Sequence, residues 1–317
     1  MSFGSQSATL DPVKEVAAPE AKRPANRLGV IAAFFSIYVI WGSTYLAIRY
    51  AVAAIPPLYT AGFRHLIAGT ILLLWALAKG QRPTWPQIKA SLVIGFLFFL
   101  IGHGSLHWAE TQIPSGLASL LIASEPIWVF LMTCAAEKRW RMNGYLLVGV
   151  ALGLAGVGLL LGRDVWSHGQ SGFLGAVACL VGAISWSAGI IYSRRSHLSG
   201  SPLLLSALSL LAGSGMLLAS GTILGEQRGF SFVNVPRLAW LSLAYLIVFG
   251  SVIAFVAYLT LMGRIGADRS GYAGVAIPIV ALGLSTFFED LHWDVFMLAG
   301  ILMCVMGNVL VLRRGTA

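Results

Sequence analysis

After residue 27 the chain returns repeatedly to apolar runs of about 18 to 24 residues, each long enough to cross a hydrocarbon layer of about 30 Å. No other feature restricts the fold so strongly, because most of a chain built this way must meet lipid. The runs fall at 28–50, 58–78, 90–109, 115–136, 143–162, 172–192, 202–224, 238–262, 270–288 and 295–312. The expected class is an all-α membrane protein with ten transmembrane helices. Composition agrees, since 57% of residues are hydrophobic and only 10% charged.

Residues 1–27 mix Ala, Pro, Ser and both charge signs without apolar periodicity and read as a disordered cytoplasmic tail. They lack the short apolar core and cleavage site of a secretory signal. Cys134, Cys179 and Cys304 each fall inside a run, so neither a disulfide nor a CxxC metal framework is expected. The net charge of +9 is scattered over short loops and forms no stripe for nucleic acid. Orientation explains it: with the N-terminus inside, Lys79, Arg82, Lys89, Lys138, Arg139, Arg141, Arg194 and Arg195 all fall in cytoplasmic segments. Both termini are then cytoplasmic, and the expected location is a bacterial inner membrane.

The chain also repeats itself. SEPIWVFLMTCAAE in the fourth run corresponds to AIPIVALGLSTFFE in the ninth, so that Pro126 precedes Glu137 as Pro278 precedes Glu289. Gly149 and Gly156 share their spacing with Gly300 and Gly307, and VIWGSTYLAIRY aligns with AISWSAGIIYSR, placing Trp41 opposite Trp186. Five runs per copy is an odd number, so the halves 28–162 and 172–313 must enter the membrane in opposite orientations. The loop charges invert accordingly: EKRWR follows the fourth run and EDLHWD the ninth. Two inverted five-helix bundles can rock about a central site, which makes a carrier the leading expectation.

YVIWGSTYLAIRYAV, HWAETQIPSGLASLLIA and LLVGVALGLAGVGLLLG resemble the EamA-type branch of the drug/metabolite transporter superfamily, over about residues 30 to 313. The resemblance implies ten helices in two inverted halves, a central cavity, and export or exchange of small metabolites or drugs. Glu125 departs from the family pattern, in which the position before the fourth-span proline is uncharged. Ile277 likewise stands where a polar residue is common.

Several residues could carry the chemistry of transport. Glu125 lies about 15 Å from the outer end of its helix, where inserting an acid costs on the order of 3 kcal/mol, so it needs a partner or a purpose. Arg64, about 9 Å below the outer end of the second span, could pair with it or bind an anion. His65, next in sequence, points to another face and reads as packing. His103, His107 and Glu110 share one face of the third span. No second His-rich segment completes a metal site, so His107 and Glu110 are read as meeting headgroups and water, with His103 lining the outer cavity. Trp41 and Trp186, near mid-membrane among small polar neighbours, suit cavity walls, and Tyr258 and Tyr272 could add hydrogen-bonding tips. Pro126 and Pro278 each free a carbonyl one turn earlier and are candidate hinges. The glycine-rich fifth run suits close helix contact, with a homodimer face as the alternative. No cofactor is implied; the partners are lipid, a small-molecule substrate and protons. The competing classes are an intramembrane enzyme, which lacks a nucleophile–base set, and a non-transporting receptor or scaffold.

Overall fold

The structure, a computed structural model, describes residues 27–137, 144–196, 200–258 and 273–314. Its described residues are helices and their connections, with no strand. In chain order the helices are α1 Arg27–Val52, α2 Pro57–Ala78, α3 Trp85–Ala109, α4 Ser115–Glu137, α5 Gly144–Gly162, α6 Gly169–Arg195, α7 Pro202–Ile223, α8 Arg237–Tyr258, α9 Ala273–Phe288 and α10 Val295–Arg314. Those from α2 to α8 are the seven, among the described residues, long and apolar enough to cross a membrane. Two shorter apolar stretches, Ile277–Phe288 and Val295–Val311, lie in α9 and α10. Ten expected spans therefore exceed the seven that length and hydropathy establish. The charged segment after α4 and Tyr272 lie outside the described residues.

Local sequence explains most boundaries. Pro57, Pro86 and Pro202 occupy first-turn positions of α2, α3 and α7, where the missing N–H is harmless and φ is already helical. Thr84 and Gln87 form a capping box at the start of α3, with Gln87 Oε1 accepting from the Thr84 amide at 2.9 Å. At the other end of α7, Gly225 (φ 82°) closes the helix: its N–H donates to Thr222 and that of Glu226 to Gly221. Gly80 ends α2 with the same pair of bonds, to Leu77 and from Gln81 to Ala76. A single break at Gly169 (φ 63°, ψ −146°) separates α5 from α6.

Helices five positions apart in the chain lie side by side, α2 against α7, α4 against α9 and α5 against α10. The α5–α10 contact is backbone to backbone, since Gly149 and Gly156 face Gly307 and Gly300. The main core gathers Tyr45 and Ile48 of α1, Leu117 and Leu121 of α4, Leu160 of α5, Cys179 of α6 and Leu282 of α9. All three cysteines are buried, and none forms a disulfide.

Candidate functional site

Two helices depart from α geometry where the halves meet. Gly95–His103 of α3 and Leu246–Ile253 of α8 are π-helical, a wider turn that leaves carbonyls open to other donors. The first helix of each half uses the opening in the third helix of the other. From α1, Trp41 Nε1 donates to the Gly250 carbonyl at 3.3 Å. From α6, Ser185 Oγ donates to the Leu97 carbonyl at 2.8 Å. Next to it Trp186 stacks on Phe98 (centroids 4.3 Å) and on His103 (5.2 Å).

Arg64 is buried against the same π-helical stretch of α8, donating through Nε to Ser251 Oγ at 2.8 Å and through Nη2 to Gly250 O at 3.5 Å. Its guanidinium is thus held by neutral groups and not by Glu125. Tyr258 packs on Trp41 at 5.4 Å between centroids. His65 does more than pack: its Nε2 meets His103 Nδ1 at 2.7 Å, because the widened turn of α3 brings His103 round to α2. His107 and Glu110 correct the headgroup reading most clearly, both being 0% exposed.

α4 is interrupted at Ala123 and Ser124, so Glu125 and Pro126 open its second segment, Glu125–Glu137. Pro126 is therefore tolerated at a helix start, whereas Pro278 stands inside α9. Ile127 N–H turns to Ser124 instead of Ala123, and the freed Ala123 carbonyl accepts from Asn308 Nδ2 of α10 at 2.7 Å. Ser187 Oγ of α6 reaches the Glu125 carbonyl at 3.3 Å. Asn308→Ala is expected to lower the melting temperature in mild detergent, because an unpaired buried carbonyl costs about 1–3 kcal/mol. Unchanged melting would show that Ala123 has another donor.

One end of the bundle is fastened by acids from the second half. Glu226 accepts from the Leu58 and Tyr59 amides, both at 3.1 Å, at the positive end of α2. Burial pushes its carboxyl above the usual range, while those two amides pull the other way. Glu289 accepts from the Ser115 amide at 3.2 Å and from its hydroxyl, at the start of α4, and lies 3.6 Å from Arg49 Nε. Toward the opposite end, a cavity of about 210 Å³ lies among Phe98, Phe99, Ser193, Ser196, Ser209 and Phe255. A second of about 380 Å³ beside it is bordered by Lys89, Tyr192 and Arg195. Trp186 and His65 stand behind this surface, in ring contact with its Phe98 and Phe99. Hydropathy reading missed Asn308, Ser251 and the depth of Glu110, since nothing in the local pattern distinguishes them.

Comparison with known proteins places this arrangement. The model of the EamA-like transporter family matches at residues 27–162 and again at 173–313. The uncharacterized inner membrane transporter YedA of Escherichia coli (strain K12) is 35% identical over 269 residues, 82% of each chain. The uncharacterized transporter YvbV of Bacillus subtilis (strain 168) is 27% identical, covering 93% of this chain and 94% of its own. The probable amino-acid metabolite efflux pump of E. coli K12 is 26% identical over 90% of this chain and 95% of its own. A protein of known crystal structure shares the fold with a TM-score of 0.60 at 20% identity, covering 90% of this chain and 98% of that one. The chain is a multi-pass membrane protein and belongs to the EamA-like transporter family.

Proposed function

We propose that this protein is a carrier, without enzymatic activity, that exports or exchanges a small metabolite or drug by alternating access between two inverted five-helix halves. The observation that carries the reading is the reciprocal seating of the first helix of each half on the π-helical stretch of the other half's third helix. Side-by-side packing of α2 with α7, α4 with α9 and α5 with α10, and the two separate family matches, support the repeat. With ten spans and both termini cytoplasmic, the end closed by Glu226 and Glu289 faces outward and the cavities by Lys89 and Arg195 face the cytoplasm. The substrate then meets Glu125, Arg64, His103, Trp41, Trp186, Tyr258 and Tyr272 as spans four and nine bend at Pro126 and Pro278. The efflux pump among the relatives makes an amino-acid-derived metabolite the first candidate.

Metabolite profiling of cells overproducing the protein tests this. The wild-type chain is expected to deplete at least one intracellular metabolite into the medium, and a Trp41→Ala/Trp186→Ala double variant, inserted at equal level, should restore it. No depletion by the wild type, or equal depletion by the variant, would sink the assignment.

A further inference from the structure

We propose that residues 224–236, the connection between α7 and α8, form a lipid-docking surface whose apolar tip seats in the bilayer interface while Arg228 and Arg237 hold phospholipid phosphates. The tip carries large apolar side chains outside any span. Val233 is 92% exposed, Leu224 and Phe232 are exposed with it, and so is Ile223 at the end of α7. They are kept from folding away because the connection is fixed at several points. Gly225 (φ 82°) and Gly229 (φ 78°) turn the backbone through the left-handed region, and Glu226 is bonded to the start of α2. Phe232 makes ring contacts with Phe230 at 4.8 Å and with Trp240 and Phe63, both at 6.1 Å between centroids. Facing water, such a tip would be an uncompensated apolar patch.

The neighbours of the tip identify what covers it. Phe63, in contact with Phe232, heads one face of α2 that continues through Ile67, Ile71 and Leu74, all exposed. Trp240, stacked on Phe232, leads likewise to the exposed Leu241 and Val248 of α8. Both helices are long and apolar enough to cross a membrane, so these exposed side chains meet acyl chains. The tip is therefore continuous with the lipid-facing surface of α2 and α8, at the level where the two helices leave the bilayer. Tryptophan and tyrosine favour that level, and Trp240 and Tyr59 occupy it. Arg228 and Arg237 flank the tip in sequence, are exposed, and form no ion pair among the described residues. A guanidinium binds phosphate oxygens in pairs while its stem lies along apolar surface. A phospholipid supplies both chemistries at this depth, phosphate above and acyl chain below. Because Glu226 belongs to the same connection, the docked loop ties the start of α2 to the membrane surface. Only the assignment to the outer leaflet rests on the carrier reading.

The test uses the full chain in vesicles of phosphatidylethanolamine and phosphatidylglycerol, with a nitroxide spin label attached at Val233→Cys. The wild-type chain, whose three cysteines are buried, is treated in parallel as background. Relaxation of the label is compared for oxygen, which concentrates in the bilayer, and for a water-soluble nickel chelate present on both sides. Oxygen is expected to relax the label several-fold more effectively than the chelate. Adding Arg228→Gln and Arg237→Gln should lower that ratio, because the tip loses its hold on the phosphates and lies shallower. A label relaxed mainly by the chelate, or shielded from both agents, overturns the docking. Dipolar broadening between labels overturns it too, since a second copy of the chain then covers the tip. A ratio unmoved by the two arginine substitutions overturns the phosphate contact. No substrate is needed, so this result and that of metabolite profiling fail independently.

Discussion

Gly307→Ala is expected to unseat α10 from α5 and to lower stability by about 1–3 kcal/mol, the usual cost of overpacking. A methyl group at Gly307 would stand 2.6 Å from both Gly149 O and Gly153 N and 2.7 Å from Gly153 Cα. All three are backbone atoms, so no side chain can rotate away and the two helices must move apart. Parting them also weakens the dispersion contacts that hold helices together in lipid, where no hydrophobic drive compensates. Gly156 has the same relation to α10, its Cβ position lying 2.8 Å from both Cys304 N and Gly300 O. Gly283→Ala is the control, since no atom lies within 4 Å of the new methyl and alanine favours the helix by about 1 kcal/mol. Melting in mild detergent should drop for Gly307→Ala and hold or rise for Gly283→Ala. Equal melting of the two variants would mean that α5 and α10 are packed less closely than these distances require.

Once a substrate is known, Glu125→Gln should slow its export by about tenfold or more, the loss of one charge-assisted contact of about 1.5–3 kcal/mol. The amide keeps the size and hydrogen bonding of the carboxyl but cannot ionise. Glu125 stands at the interruption of α4, where helix geometry is already broken and one neighbouring carbonyl is held by Asn308. Among the described residues no cation lies within ion-pair distance of its carboxylate, and Arg64 is engaged at α8. No ion pair within contact distance therefore accounts for the acid, which is the ground for the substrate-binding role proposed for it above. Transport is measured in proteoliposomes at matched protein level. Wild-type rates for Glu125→Gln across mildly acidic to mildly alkaline pH would remove Glu125 from the mechanism.

What the sequence determined by itself is the local part of the protein. In lipid each span must satisfy its own backbone, so apolar length, first-turn prolines and terminal glycines are enough to read α2 to α8 within a few residues. Glu125 and Pro126, a charge beside a helix breaker, likewise mark the break in α4. The direction each helix faces is a different matter. Lipid and a neighbouring helix are equally apolar, so hydropathy does not say which side of a span meets which, and residues such as Glu110 could be assigned to the surface by position alone. Two π-helical stretches then rotate the succeeding turns of α3 and α8 out of the 3.6-residue register, which is why His65 meets His103 and why Gly250 can accept from both Trp41 and Arg64. The acids that fasten the closed end, Glu226 and Glu289, act on helix starts 168 and 174 residues away. Contacts at such separation exist only once the two halves have packed, and tertiary structure alone decided them.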